Sequence, residues 1–307
     1  MRKQTLLAFA VMFAVLVTTA CATSPTGRPQ LLIGSKRELE EAGRRDFIEF
    51  KKNAPLSGHG PTIEYVTCVT NHVLDQLPDE EFDSRDWELV IADVPQTNAF
   101  VVPGGRIVVF TGILSAARNQ HQLAAVLGHE VAHEIALHGL ERKSNQTVAS
   151  YGIQVLGSAV GGGTSYNAKR ASFEAFGLLA QYGFQLPFSR KHESEADIVG
   201  LRYMAMAGFD PRESVPLWKN MASGNQELPP ELLMTHPAPE TRIRQLVEEL
   251  EFALPLYNDA RARGADPQCE PPGFYSDSED ANGDQPPEPE VTADAQSSAK
   301  ETLNAAL

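Results

Sequence analysis

The residues best suited to chemistry lie in one short cluster, His129-Glu130-Val131-Ala132-His133. On a helix, residues four apart share a face, so both imidazoles can reach one metal ion while Glu130 projects beside them toward its bound water. Two neutral imidazoles suit Zn²⁺, which lowers the pKa of bound water, and the glutamate can take up the released proton. The alternative is a set of surface residues on an amphipathic helix. It conflicts with the apolar run at 123–128, because burying three ionisable groups without a shared role would be costly.

A catalytic zinc site needs a third protein ligand and an open fourth position. His138 lies nine residues after His129 and directly before Gly139, so it does not match the pattern in which a third histidine follows ten residues on, after a glycine. We therefore place His138 in the last helical turn before Gly139, where its charge would suit the helix dipole.

The better source of a third ligand is the segment 189–197. Pro187 and Ser189 predict a helix start there, and Gly208 predicts its end. Four residues share one face of that helix: Glu193, Ala196, Asp197 and Gly200. The two small residues would let this helix approach the metal helix closely, Glu193 could ligate, and Asp197 could hold a zinc histidine by its free N–H. From the residues alone, an ordinary solvated start of a charged helix remains an alternative.

The elements that must position these residues follow from the hydrophobic pattern. Helices are predicted from Ser35 to about Phe50 and from about Pro61 to Leu77. Alternating apolar residues at 87–92 and two β-rich runs around Pro103-Gly104-Gly105 predict a hairpin in a small three-stranded sheet. From Ser115 to about Phe252 the chain reads as helical, so we expect a mainly α fold with a small β-sheet.

The cluster at 129–133, followed 60 residues later by Ser189-Arg190-x-x-Glu193-x-x-Ala196-Asp197, resembles the zinc metallopeptidase family of the CAAX prenyl protease and the heat-shock protease HtpX. The segments Asn98–Gly105 and Thr235–Ile243 are similar to the soluble, exported branch of that family. The stretch from Cys21 to Arg28 resembles its lipoprotein members, such as the BepA and LoiP proteases. The resemblance covers about residues 21–250.

The resemblance implies a zincin-type fold and one Zn²⁺ per subunit, with Glu193, rather than Glu195, as third ligand. It also places His236 and Arg242 near the cleft. His236 could then stabilise the oxyanion or occupy the open position of the metal in a latent state. A histidine before proline in a loop is otherwise structural or exposed, and both interpretations of His236 stay open.

Residues 1–20 are typical of an export signal, with Arg2-Lys3, an apolar stretch and small residues before Cys21. A cysteine in this place resembles the bacterial lipobox and predicts lipidation of Cys21. Ala22 after it favours the outer membrane, so we expect a lipid-anchored protein of the bacterial envelope that faces the periplasm. A plain secretory signal or an uncleaved anchor is the alternative.

Two further cysteines, Cys68 and Cys269, allow one intramolecular disulfide in an oxidising compartment. Two unpaired thiols are the equal alternative. We predict three segments: a signal peptide at 1–20, a metallopeptidase domain at 21–255, and a linker with an acidic, proline-rich disordered tail at 256–307.

The 307-residue chain has a formal net charge of −14. Residues 270–307 hold nine acidic residues and one lysine, so much of that charge lies on the tail. A chain with so few basic residues lacks the face that nucleic acid requires, and we expect no nucleic-acid partner.

Two functions follow as hypotheses. The first is a zinc metalloendopeptidase that cleaves misfolded or misassembled envelope proteins in quality control, with Glu130 activating water and Asn98–Val102 offering a strand edge to the substrate. The second is a chaperone or assembly factor for outer-membrane proteins, in which proteolysis is latent or secondary.

Overall fold

The computed structural model describes residues 21–160, 185–223 and 240–273. The chain divides into two compact units. The larger contains the described residues of 37–135 and 194–307, and the smaller those of 1–36 and 136–193. The predicted signal peptide, most of the predicted tail and His236 lie outside the described residues.

The larger unit holds a three-stranded sheet of β3 (Glu88–Ala92), β4 (Ala99–Val102) and β5 (Arg106–Phe110). β4 and β5 form the predicted antiparallel hairpin, with Ala99 opposite Val109. Gly104 and Gly105 both have positive φ in its turn, a conformation that glycine adopts without steric cost. β3 pairs in parallel with β5, so the order is β3-β5-β4 and β4 lies at an edge.

The helices of this unit include α1 (Lys36–Asn53), α2 (Gly60–Leu74), the short α3 (Asp79–Asp83) and α4 (Gln120–Ile135). After α5 (His138–Val160) and α6 (Gln185–Met206) come α7 (Ser214–Ser223) and α8 (Glu240–Ala262). Short 3-10 turns precede α4 and α7, at Thr111–Ser115 and Pro211–Glu213. The mainly helical fold with a small sheet confirms the predicted class.

The helix that carries the predicted metal ligands, α4, runs through the core of the larger unit. Leu123, Leu127 and Val131 on α4 are buried in one cluster with residues of α2 and the sheet, among them Tyr65 and Ile107. Burial on several faces holds the helix rigidly, which suits a helix that must present ligands.

Two glycines bring α4 and α6 into backbone contact. A Cβ atom on Gly200 would lie 2.6 Å from the carbonyl carbon of Gly128, and one on Gly128 would lie 2.7 Å from the carbonyl oxygen of Gly200. Ala196 is fully buried between the helices with Ala132. The predicted close approach of small residues is therefore present.

The smaller unit contains a short hairpin that the sequence pattern did not predict. β1 (Cys21–Thr23) pairs antiparallel with β2 (Pro29–Leu31), with Cys21 opposite Leu31. The hairpin is joined by side-chain contacts to the start of α5, the unit's main helix.

The predicted place of His138 is wrong. α4 ends at Ile135, and Leu137 has a φ of 54°, which breaks the helix. His138 is therefore the first residue of α5 rather than the end of α4. Position 139 is a glycine, but the left-handed residue that ends the helix is Leu137, two positions earlier.

Other boundaries also differ from the prediction. α6 is already helical at Gln185, the first residue described after position 160, so its start lies before the predicted Pro187 and Ser189. Gly208 has a φ of 86° and follows the helix end, as predicted. α8 continues to Ala262 and Cys269 is only 4% exposed, so the packed structure extends beyond residue 255.

Of the two alternatives for the cysteines, the structure has the disulfide. Cys68 on α2 is bonded to Cys269, beyond the end of α8. Within the three described stretches, every helix is too short or too polar to cross a membrane.

Candidate metal centre

His129 and His133 face each other one turn apart on α4. Their Nε2 atoms are 3.1 Å apart, and His129 is buried. Two nitrogens bound to one tetrahedral zinc at about 2.05 Å each would stand about 3.3 Å apart. The two imidazoles are thus spaced as a shared zinc ion requires.

Glu193 on α6 completes the candidate ligand set. One ligand atom from each of His129, His133 and Glu193 lies within 4.8 Å of the other two. Two imidazoles and a carboxylate are a donor set that Zn²⁺ accepts in hydrolytic enzymes while keeping a fourth position open. These residues fit a zinc ion.

Asp197, one turn after Glu193, holds His129 from behind. Its Oδ1 lies 3.0 Å from His129 Nδ1, which leaves Nε2 for the metal. Arg242 donates to both oxygens of Asp197, from Nε and Nη2, at 2.7 Å each. Burial alone would raise the pKa of Asp197, but Arg242 and His129 outweigh it and lower that pKa. Asp197 is therefore a carboxylate at neutral pH.

Trp218 on α7 is a member of this arrangement that the sequence did not indicate. The Arg242 guanidinium lies 4.2 Å from the centre of its ring. The same ring meets the His129 ring edge to face, with centroids 6.2 Å apart. A single tryptophan in a helical stretch carries no motif, so only the packing could reveal its place.

Glu130 lines a small, mostly apolar cavity. The cavity has a volume of about 20 Å³, enough for about one water molecule. Glu130 is 3% exposed and shares the lining with His129 and Asp197. The remaining walls come from eight apolar residues and one serine: Ala125, Val126, Leu201, Met204, Ser214, Leu217, Trp218, Met221 and Leu246.

Glu134, next to His133, links the metal helix to the β4–β5 turn. Its Oε1 accepts from Arg85 Nε at 3.0 Å and from the backbone N–H of Gly104 at 3.2 Å. Arg85 also donates to the Glu134 carbonyl at 3.2 Å. Sequence reasoning missed this pair, because the cluster at 129–133 gave no reason to include the next residue.

The other residues that the sequence singled out do not all lie at the metal centre. Arg242 and Asp197 meet at the site, while His236 lies outside the described residues. Cys21 opens β1, and its lipidation stays a prediction. The disulfide joins Cys68 on α2 to Cys269 after α8, both in the larger unit.

Residues 64–250 match the model of peptidase family M48, whose members are zinc-dependent. The match covers more than half of the chain and includes both helices of the site.

Several curated proteins are similar over most of the chain. The mitochondrial metalloendopeptidase OMA1 of Schizosaccharomyces pombe is 33% identical over 71% of this chain and 61% of its own. The corresponding protein of Danio rerio is 36% identical over 75% of this chain and 50% of its own. The β-barrel assembly-enhancing protease of Escherichia coli is 28% identical over 64% of this chain and 40% of its own. The chain thus spans between two fifths and three fifths of these relatives.

The comparisons contradict the predicted location in the outer membrane of a bacterial envelope. Relatives with identities of 31 to 36% are named as mitochondrial proteins of eukaryotes, whereas the bacterial assembly-enhancing proteases are 26 and 28% identical. The predicted outer-membrane location, for which Ala22 was the argument, is therefore wrong. A basic start followed by an apolar stretch is common to several kinds of targeting segment, so it does not fix a compartment.

Proposed function

The chain belongs to peptidase family M48, and from this premise we propose that it is a zinc-dependent endopeptidase that cleaves unfolded or misassembled proteins. The observation that carries the proposal is the placement of His129, His133 and Glu193 within reach of one ion, with Glu130 directly after His129 on α4.

In this proposal each residue of the site has a separate task. His129, His133 and Glu193 hold zinc, which when bound polarises the scissile carbonyl and makes water more acidic. Glu130 accepts the proton of the attacking water and delivers it to the leaving amine.

Asp197 and Arg242 act on His129 rather than on the substrate. Asp197 fixes the ring orientation and tautomer of His129, and Arg242 keeps Asp197 ionised and in place. Trp218 covers the guanidinium and limits its movement.

The substrate binds as an extended strand beside β4. Among the described strands β4 has a partner on one side only, which leaves main-chain groups on the other side for a peptide. The Glu134 contact to Gly104 ties this hairpin to the ligand helix. Main-chain recognition tolerates many side chains, and it requires an unfolded segment, which supports a role in quality control.

The experiment is digestion of casein by the wild-type protein and by Glu130→Gln, with zinc content measured in both. We expect the variant to retain zinc and lose cleavage, and a chelator to abolish wild-type cleavage until zinc is restored. Glu64→Gln, a change on the exposed face of α2, should cleave like the wild type. Full activity of Glu130→Gln would refute this mechanism.

A second candidate is an assembly factor with secondary proteolysis. It is favoured by the similarity to proteins named β-barrel assembly-enhancing proteases. This function predicts that Glu130→Gln still corrects an assembly defect in cells that lack the protein. If Glu130→Gln lost both rescue and cleavage, the peptidase function would remain as the single candidate.

A further inference from the structure

The smaller unit contains a buried polar cluster around Glu141 that the proposed chemistry does not use. Glu141 lies in the first turn of α5 and is only 2% exposed. Arg28 donates to both of its carboxylate oxygens, at 2.6 and 2.7 Å. Gln30 donates to Glu141 Oε2 at 2.9 Å and to the Ala136 carbonyl at 2.7 Å. The β1–β2 hairpin is thereby fastened to the start of α5.

The same carboxylate reaches the helix that carries Glu193. His192 Nε2 lies 3.2 Å from Glu141 Oε2, and the His192 ring stacks on the ring of His138 with centroids 4.4 Å apart. Both histidines are buried. His192 is the immediate neighbour of Glu193, so the cluster fixes the turn of α6 from which the ligand projects.

We infer that Arg28 and Glu141 are positioning residues for the metal centre: through His192 they set the rotation of α6 and so the direction of Glu193. This inference rests on the proposed role of Glu193 as a zinc ligand. It assigns the β1–β2 hairpin a part in metal binding, although Arg28 is far from the ligands in the sequence.

Helix geometry explains why a small rotation of α6 would displace the carboxylate of Glu193. A carboxylate about 6 Å from the helix axis moves by about 1 Å when the helix turns by about 10°. Metal sites tolerate about 0.5 Å of displacement before affinity falls. The Glu141 carboxylate lies beside Nε2 of the His192 ring and the His138 ring stacks on its face, and both contacts oppose such a rotation.

Glu141 suits this positioning role because it is buried and accepts two hydrogen bonds from Arg28. Removal of Arg28 leaves the charge of Glu141 buried with fewer partners, and the cluster would have to rearrange. Glu141→Gln keeps the size of the side chain and removes the charge that pairs with Arg28 and lies beside His192 Nε2. The two substitutions should therefore disturb Glu193 in the same way.

The test measures zinc affinity by competition with a chelator for the full chain and for Arg28→Ala, Arg28→Lys and Glu141→Gln. We expect Arg28→Ala and Glu141→Gln to bind zinc at least 10-fold more weakly, as for other residues that orient ligands. Arg28→Lys keeps the charge but not the paired geometry, and should restore part of the affinity. The visible absorption of the Co²⁺-loaded protein should change in the two weakened variants, since it reports ligand geometry.

Arg37→Ala is the matched control, since Arg37 also pairs with a glutamate, Glu41, but on the exposed surface of α1. It should bind zinc like the wild type. Zinc affinity within 2-fold of the wild type for both Arg28→Ala and Glu141→Gln would overturn the inference, even if thermal unfolding of the metal-free variants shifts. If Arg28→Ala does not fold, Glu141→Gln and Arg28→Lys decide. Zinc binding needs no substrate, so this outcome is independent of whether the protein cleaves proteins.

Discussion

Asp197 is a buried carboxylate that Arg242 pairs through two hydrogen bonds and that His129 contacts through Nδ1. Arg242→Ala should cost about 3–5 kcal/mol of unfolding free energy, because it leaves the Asp197 carboxylate buried without its bidentate partner. Zinc affinity should fall by about 10- to 100-fold as His129 loses its orientation. Denaturant unfolding and zinc titration measure both effects.

Arg242→Lys separates charge from geometry at the same position. Lysine keeps a cation but cannot donate in a planar pair or stack equally well on Trp218, so its zinc affinity should lie between those of the wild type and Arg242→Ala. Arg261→Ala on the same helix removes an exposed pair with Asp266 and should change neither quantity measurably. Equal zinc affinity in all three variants would contradict the role given to Arg242.

Glu141 contributes a part of the unfolding free energy that is lost at acid pH. Burial would raise its pKa, but Arg28, His192 and Gln30 outweigh burial and lower it from 4.5 to about 2. A lowered folded-state pKa contributes stability that is present above pH 4.5 and is lost as the pH falls toward 2. The unfolding free energy of Glu141→Gln should therefore fall less than that of the wild type between about pH 5 and pH 3. Parallel pH curves for the two proteins would exclude this contribution, and Glu64→Gln should follow the wild type.

At the level of secondary-structure elements, the contact of α4 with α6 sets the spacing of the two helices that carry the candidate ligands. Gly200→Ala adds a Cβ atom 2.6 Å from both the Gly128 carbonyl carbon and the His129 N atom, so the helices must separate. We expect a loss of about 1–3 kcal/mol and weaker zinc binding, since the two helices carry different ligands. Calorimetric unfolding with and without zinc measures the two effects.

Gly58→Ala is the control for that substitution. A Cβ atom there meets nothing within 4 Å, so stability should stay within about 0.5 kcal/mol of the wild type. If Gly200→Ala behaved in the same way, α4 and α6 would not depend on backbone contact for their spacing.

The order of the sheet is also a property of elements rather than of residues. The turn at Pro103-Gly104-Gly105 predicts the β4–β5 hairpin locally, because glycine accepts the positive φ that the turn requires. No local feature of the sequence indicates that β3 pairs with β5 rather than with β4. That choice leaves β4 at the edge, and with it the surface proposed for substrates.

On the scale of the whole chain, the disulfide connects residues separated by 201 positions. Closing so long a loop restricts the unfolded state strongly, so replacing Cys68 and Cys269 by serine should cost about 2–5 kcal/mol. Dithiothreitol should destabilise the wild type by a similar amount and leave the double variant unchanged. An equal response of both proteins to the reductant would show that the bond adds no stability.

A local pattern in the sequence is enough to predict a metal site on α4. His129, Glu130 and His133 fall on one helical face because of the 3.6-residue period, and this needs no knowledge of the fold. The small residues at 196 and 200 indicated a close helix approach in the same way. Periodicity and local turn chemistry also sufficed for the class of fold.

The contacts that distant residues make with the candidate site and its neighbours appear only in the packed structure. Trp218 under Arg242, Glu134 at the Gly104 turn and Arg28 on Glu141 are contacts between segments far apart in the chain. These side chains are not related by a helical or strand periodicity or by a motif spacing, so a local sequence pattern cannot predict their contacts. The place of His138 went wrong for a related reason: the left-handed Leu137, rather than the glycine that follows His138, ends the helix. Periods describe one element at a time, and the contacts between elements exist only once the whole core is packed.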